Sequence, residues 1–596
     1  MPRSPILVSR SLAGLTLGLL ALGCSNDSPS DQELATPASQ PTDQEPAFAA
    51  PEVLPDQVVV ADPTKPIARM DDVEDFSEEV ANRFVDFTYE LKKRNFVKAA
   101  DWVGEDFVGQ ALFTGLNDAA AELPLETAKH THDIAAAPVV DKAGWLADIA
   151  AGLGPWENVE WIYFKVKGAE FESGRPLWGK VKFKITMLGT EPGGGPVSEV
   201  AWVWARVEKR RSQWTLTALE QISRSTTRRH APLFTEVSTS TGLAHTGIRF
   251  GKPGNTLFAW QGAAGGDVNG DGLWDLYLPS ELENFLYLAR PDGTFRDEAE
   301  AWGVKRPGGG TGSLFLDFDN DGDQDLFCAD EGWEGPNGDR QGNPLRLYVN
   351  EGDRFVERGA ELGFSGILPA YTLTALDYDS DGWVDVFISN YGVQNKENNN
   401  DWLDATNGGK NVLLRNLGGK GFEDVAASAG VDDGRWTYAA AAADFDGDGD
   451  ADLSVANDYG VNALLENLGD GTFVDRAEEW GIGDRGNGMG TMWGDFNSDG
   501  RLDLYIANMS STAGNRILGR MQNKDADAVQ GLLKMAGGNS IFVQSEDGSF
   551  ARQDKQLGGV GASWAWCPLA FDMDLDGHLD IYCNSGYVTG DTAADT

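Results

Sequence analysis

Six acidic nine-residue segments constrain this chain more than any other feature in it. They begin at Asp267, Asp317, Asp377, Asp444, Asp495 and Asp572, and each obeys the pattern D-x-[DN]-x-D-G-x-x-D. The oxygen-bearing positions are Asp267, Asn269, Asp271 and Asp275; Asp317, Asp319, Asp321 and Asp325; Asp377, Asp379, Asp381 and Asp385. They continue as Asp444, Asp446, Asp448 and Asp452; Asp495, Asn497, Asp499 and Asp503; Asp572, Asp574, Asp576 and Asp580. Side-chain oxygens at the first, third and fifth places converge on one side of a tight loop, and the glycine at the sixth supplies the sharp turn. The backbone carbonyl at the seventh place and the carboxylate at the ninth close the sphere. Hard oxygen donors with three or four carboxylates select Ca2+ over transition metals. Several structural Ca2+ ions are therefore the expected cofactor.

The surroundings of the loops decide the architecture. An EF-hand needs a glutamate at its twelfth position and helices on both sides. Here the segments that follow are strand-like, as in Leu276-Tyr277-Leu278, Val386-Phe387-Ile388 and Leu504-Tyr505-Ile506. Each loop is thus the tip of a strand–loop–strand hairpin. Successive loops start 50, 60, 67, 51 and 77 residues apart, which suits four-stranded propeller blades and is too long for short-period Ca2+ rolls. A second marker keeps the same period: Phe295 to Gly303, Phe355 to Gly363, Phe422 to Gly430 and Phe473 to Gly481. A further copy, Phe234 to Gly242, precedes the first loop. That placement suggests an N-terminal strand that completes the last blade and hides its edges. The expected fold is mainly β, a six- or seven-bladed propeller over 231–596 preceded by a small α+β domain.

The chain carries 93 acidic against 48 basic residues, a formal net charge of −45. Such a surface repels phosphates and excludes nucleic acid as a partner. Four cysteines, Cys24, Cys328, Cys567 and Cys583, are too few for a disulfide scaffold. Cys567 and Cys583 flank the sixth loop, and a regular hairpin allows a cross-strand disulfide between them. Cys328 holds the place of Cys583 in its own repeat, with Gly312 at the facing position, so it is expected as a free buried thiol.

Residues 1–24 have the layout of a secretory signal, with Arg3 and Arg10 before an apolar run from Leu12 to Leu22. The ending Leu20-Ala21-Leu22-Gly23-Cys24 resembles a bacterial lipobox, which would make Cys24 the lipidated residue. Residues 25–65 are rich in Ser, Thr, Pro, Gln, Asp and Ala and read as a disordered tether. An outer-membrane or cell-surface lipoprotein of a bacterium is expected, touching the membrane through that lipid alone.

Residues 66–230 have another texture. Phe76, Val80, Phe84, Phe87 and Leu91 mark one apolar helical face, and a short helix is expected over Phe96–Trp102. After a less regular Ala-rich stretch come strand-like runs at Val159–Lys167, Lys180–Met187, Val200–Val207 and Trp214–Ile222. Helices followed by a meander make an α+β domain, and the order resembles the NTF2-like superfamily. Enzymes of that superfamily place acid–base residues in a cone, where His130 and His132 would be the candidates here. Their polar surroundings favour an exposed loop instead, and Lys209-Arg210-Arg211 is expected as a solvated hairpin turn.

The repeats resemble the FG-GAP/VCBS type found in integrin α-chain propellers, and most closely the CRTAC/ASPIC–UnbV group. The stretches that carry this are Asn508 to Arg516, Gly561 to Trp566 and Asn584 to Tyr587, together with the six loops. The resemblance implies a Ca2+-stiffened propeller used in extracellular recognition of a protein or glycan, with no catalytic residue to carry over. A glycan-active enzyme such as a polysaccharide lyase is the alternative, with Trp333, Tyr371, Trp402 and Trp436 as candidate glycan stackers. His578 is not expected to ligate through its ring, because only the backbone at its place faces the metal. The segment Ile517–Asn539 reads as helical, with Val529, Leu532, Leu533 and Met535 apolar.

Overall fold

The computed structural model describes residues 70–585, apart from short internal stretches of which 245–261 and 512–526 are the longest. The signal segment, Cys24, the tether and Trp402 lie outside the described residues. The chain forms two compact units that divide between Thr235 and Glu236. No helix of the described residues is long and apolar enough to cross a membrane.

The N-terminal unit is the expected α+β domain. The apolar stripe becomes the helix Met70–Lys92, in which Val80, Phe84, Phe87 and Leu91 are fully buried. The Phe84 ring lies 5.3 Å from Phe183 and 6.0 Å from Phe164 on the sheet beneath. The predicted strands are all present but longer: Asn158–Phe171, Trp178–Thr190, Pro196–Arg210 and Gln213–Arg229. The Ala-rich stretch is more regular than its composition suggests. It holds the strands Val103–Gln110, Asn117–Leu123 and Thr127–Asp133 and the helix Lys142–Leu153. Asp148 on that helix orders the preceding chain, accepting hydrogen bonds from the amides of Leu112, Phe113 and Thr114 at 2.6–2.8 Å.

Two expectations for this unit need correction. His130 and His132 are not in a loop: they lie half-buried in the strand Thr127–Asp133, which pairs with Gln213–Arg229. The strand exists because tertiary pairing outweighs the polar local sequence. The run Lys209-Arg210-Arg211 does form the turn, but it is not merely solvated. Lys209 pairs with Glu79 at 2.6 Å, and Arg210 holds Asp106 through both terminal nitrogens at 2.6 Å.

The C-terminal unit is a succession of small antiparallel sheets, five of them four-stranded. Each blade begins with an inner strand: Ala264–Gly266, Gly312–Leu316, Ala370–Leu376, Trp436–Ala443, Gly488–Gly494 and Ala565–Phe571. From the first blade to the sixth, every inner strand lies against that of the next. This sideways stacking of short meanders is the propeller. The sixth blade has two described strands, Ala565–Phe571 and Asp580–Ser585. The early copy at 233–242 contains no strand, yet its end is placed like the others. Gly242 has φ 83°, and a Cβ there would lie 2.8 Å from the Phe295 carbonyl; at Gly363, with φ 78°, the same atom would lie 2.3 Å from that of Phe422. The repeated glycine is therefore a wedge on the neighbouring blade's outer strand.

An amide clip joins successive blades. Asn350 of the second blade donates to the Val268 carbonyl of the first, and Asn416 of the third to Phe318 of the second, both at 2.8 Å. Asn467 and Gln544 reach back to Tyr378 and Phe445 in the same way, again at 2.8 Å. The first blade has Ala289 at this place, identified by its amide donating to Asp275 at 2.8 Å. Asn467→Ala should strip a donor from both Tyr378 and Ala451 carbonyls and destabilise the propeller by about 1–3 kcal/mol in urea unfolding.

Candidate metal centres and an aromatic channel mouth

The ninth residue of each loop is the first residue of the second strand of its blade, and in the first five loops it is hidden. Asp275, Asp325, Asp385, Asp452 and Asp503 are at most 1% exposed. One oxygen accepts from the amide of the second loop residue, as in Tyr378 to Asp385 at 3.1 Å. The other accepts from the third strand, as in Asn416 to Asp385 at 2.7 Å. Burial outweighs these bonds and raises the pKa from 3.8 to about 6 for Asp275 and to about 7 for Asp325, Asp385 and Asp452. Asp503 moves the same way.

The first residue shapes the loop. Asp377 accepts from the amides of Asp381 and Gly382 at 3.1 and 3.0 Å, and Asp381 accepts from Trp383 at 3.0 Å. The sixth residue is a left-handed glycine throughout, for example Gly382 at φ 87°. The fourth residue is left-handed too, which the sequence pattern did not reveal: Gly270, Asn320, Ser380, Gly447, Ser498 and Leu575 lie at φ 55–79°. Asparagine, serine and glycine tolerate this; a leucine does not.

Carboxylate oxygens from the first, third and ninth residues converge within 4.8 Å in four loops: Asp317, Asp319 and Asp325; Asp377, Asp379 and Asp385; Asp444, Asp446 and Asp452; Asp572, Asp574 and Asp580. One oxygen of Asp319 is buried with no hydrogen-bond partner. Three such groups at this spacing repel one another unless a cation sits among them. The residues therefore fit a hard divalent ion. In the first and fifth loops the third residue is an amide that donates to its neighbour, Asn269 to Asp271 at 3.1 Å and Asn497 to Asp499 at 2.9 Å. In the third loop Arg415 lies 2.8 Å from Asp379 and 3.3 Å from Asp381, so a side-chain cation shares that cluster.

The cysteines behave differently from the expected disulfide. Among the described residues, Cys328, Cys567 and Cys583 form no disulfide. The ninth loop residue pairs with the residue just before the loop, as in Asp580 with Phe571, which sets Cys583 opposite Pro568. Cys567 is the extra residue of a β-bulge at φ 38°. Cys328 likewise faces Ser313, not Gly312. Both facing positions were one residue off, and a one-residue slip turns a side chain to the other face of the sheet.

A second feature lies at the end of the blades opposite the loops. In the third, fourth and fifth inner strands, Tyr371, Tyr438 and Met489 occupy β-bulges. A bulge re-aims its side chain, and here the three gather with Trp566 into one buried cluster, with Tyr391 packed against it. Tyr371 and Tyr438 stand 4.3 Å apart, edge to face. The cluster borders an axial cavity of about 120 Å³ that Thr311, Thr372, Ala439, Met489 and Cys567 help to line. Of the four aromatic candidates, Tyr371 and Trp436 are brought together. Trp333 lies apart in the hairpin Trp333–Glu334 with Arg340–Gln341. Next to Trp436 is Asp458, 6% exposed, which accepts from the Tyr391 hydroxyl at 2.9 Å; burial raises its pKa to about 7. Tyr438 escaped the sequence reading because its bulge breaks the alternation on which strand faces are judged, and Tyr391, Asp458 and Trp566 escaped it because their grouping depends on contacts between blades.

The FG-GAP-like repeat family matches residues 267–328, 317–388 and 444–506, the same hairpins whose loops are described above. The C-terminal unit is a propeller that carries FG-GAP-like repeats. Among curated proteins, this propeller is similar to cartilage acidic protein 1 of Homo sapiens, 29% identical over 147 residues, covering 24% of this chain and 22% of that protein. The Xenopus tropicalis protein of that name is 31% identical over 139 residues, covering 23% and 20%. The match thus spans about a fifth of the length of these relatives. Among solved structures, the biofilm matrix protein Bap1 of V. cholerae shares 14% identity, covering 51% of this chain and 40% of that one, with a TM-score of 0.27. A putative scytalone dehydratase of Novosphingobium aromaticivorans shares 11%, covering 26% and 88%, with a TM-score of 0.17. Scores of this size carry no argument, and the fold of the FG-GAP propeller stands on its repeats and strand pairing.

Two outcomes follow for the loops. Leu575 is 87% exposed at φ 62°, so Leu575→Gly should remove backbone strain and raise stability by about 1 kcal/mol in chemical unfolding. The ninth carboxylates of the metal-free fold hold protons more tightly than the unfolded chain does. Stability of the chelated protein should accordingly fall as pH rises from about 4 to about 7, with excess Ca2+ flattening that slope in thermal melts.

Proposed function

We propose that this chain is an extracytoplasmic recognition module, a Ca2+-stiffened propeller that presents its inter-strand loops to a protein or glycan. The observation that carries this is the convergence of three carboxylates at the same end of four separate blades. At 4.8 Å each like-charged pair costs about 1 kcal/mol in water and about 3–4 kcal/mol at an effective dielectric of 20. A bound Ca2+ reverses the sign of that term. The ion would be held by the first, third and ninth residues, with the fifth residue supporting the turn. Its work is structural, because the ninth carboxylate also bonds the third strand of its blade. Similarity to cartilage acidic protein 1 supports a place outside the cytoplasm. Within this proposal Cys24 carries the lipid and residues 25–65 form the tether that sets the propeller away from the membrane.

The chemistry of the loops makes a graded expectation. Loops with three converging carboxylates should take Ca2+ more tightly than the two that carry Asn269 and Asn497. Calcium titration followed by calorimetry should resolve at least two affinity classes, and EDTA should lower the melting temperature by well over 10 °C. An unchanged melt with no bound calcium removes the metal assignment. A pulldown from envelope extract, run with and without Ca2+, tests recognition: capture should require the ion.

A further inference from the structure

The end of the propeller opposite the metal loops holds a buried acid among aromatic rings. Asp458 closes the strand Asp452–Asp458 of the fourth blade. Its two oxygens accept from the Tyr391 hydroxyl at 2.9 Å and from the Tyr459 amide at 3.1 Å. No described cationic side chain stands among the groups that influence it. The nearby Arg435 is engaged elsewhere, with Asp433, with Asp475 at 3.0 Å and with the Val461 carbonyl at 3.0 Å. A buried carboxylate without a counter-charge is costly to keep.

Three rings group at this strand end: Tyr391, whose hydroxyl bonds the carboxylate, Tyr459, the next residue, and Trp436, the cross-strand pair of Asp458. Tyr391 lies 5.1 Å from Trp436 at 89°, and Tyr459 lies 5.8 Å from Trp436 at 88°. Two rings thus stand at right angles to a third, a cage-like arrangement with the carboxylate beside it. Tyr459 adopts φ 55°, a conformation that is costly for an aromatic residue and that gathers at ligand sites. That conformation turns its amide onto Asp458, while its carbonyl accepts from Ala405 at 2.6 Å.

We propose that Asp458, Tyr391, Trp436 and Tyr459 form a receptor for an alkylammonium group, of the kind a lysine side chain of a partner protein carries. Ring faces attract a point cation within about 6 Å, and the carboxylate supplies the opposite charge. The net charge of −45 draws cations towards the molecule. A neutral sugar fits less well, because it carries no charge to balance the buried Asp458 carboxylate. The neighbouring cavity of about 120 Å³ is also well short of the roughly 300–1,000 Å³ of ordinary ligand pockets. This inference rests on the recognition reading and names the chemistry of one of its sites.

The test uses the full Ca2+-loaded chain, titrated with Nα-acetyl-lysine methylamide and, as the uncharged control, Nα-acetyl-norleucine methylamide. Calorimetry and tryptophan fluorescence report binding. The lysine probe should saturate and the norleucine probe should not. Asp458→Asn should weaken the lysine probe by about tenfold or more and Tyr391→Phe by several-fold, with Ca2+-dependent melting preserved. If Asp458→Asn does not fold, Tyr391→Phe and Trp436→Leu decide the matter. Equal response to both probes, no saturation by the lysine probe, or losses under twofold in the folded variants overturns the proposal. Preferential saturation by a neutral oligosaccharide that Trp436→Leu abolishes overturns it as well. A Ca2+-dependent capture in the pulldown combined with no lysine binding leaves the recognition reading standing and removes only the ammonium site.

Discussion

A single buried carboxylate per blade organises the propeller. In the first five blades the ninth residue of the acidic loop bonds the loop's own second amide and the third strand of the same sheet, as Asp452 does, so one side chain ties a surface turn to the interior. Because the same group also faces the first and third carboxylates, the metal loop and the blade's hydrogen bonding form one unit. Neither can relax without the other. That coupling explains why an aspartate recurs where packing alone would favour an apolar residue.

From this point the blades assemble outward. The third strand that receives the carboxylate carries, at the same residue, the amide that clips onto the preceding blade, as at Asn350, Asn416 and Asn467. Loop, sheet and inter-blade joint therefore meet within a few residues. The opposite end of each blade is free of that duty, and there the inner strands bulge at Tyr371, Tyr438 and Met489.

Much of this was legible from residue spacing. The six loops, their strand flanks and the repeat length pointed to the propeller, and the stripe from Phe76 to Leu91 pointed to the helix Met70–Lys92. What failed did so for local reasons. The spacing does not reveal that the ninth loop residue pairs with the residue just before the loop, so the register at Cys567 and Cys583, and at Cys328, was misjudged by one residue. Composition alone hid the strand Thr127–Asp133 and the helix Lys142–Leu153, which long-range pairing and burial of Trp145 and Ile149 sustain. Asp458 was invisible because its meaning depends on rings contributed by two blades. The left-handed fourth loop residue left a trace in Gly270, Asn320, Ser380, Gly447 and Ser498, and Leu575 broke it.

The amide clips also bear on how such a repeat array changes over generations. Each clip belongs to the later blade and reaches back to the earlier one, so a duplicated blade arrives with its own fastening to whatever precedes it. The first blade, with Ala289 at that place, brings none. A blade inserted in front of it forfeits no such clip, whereas an insertion at any joint from the first blade to the fifth must break one. Among these five blades, growth by whole blades is therefore least disruptive ahead of the first.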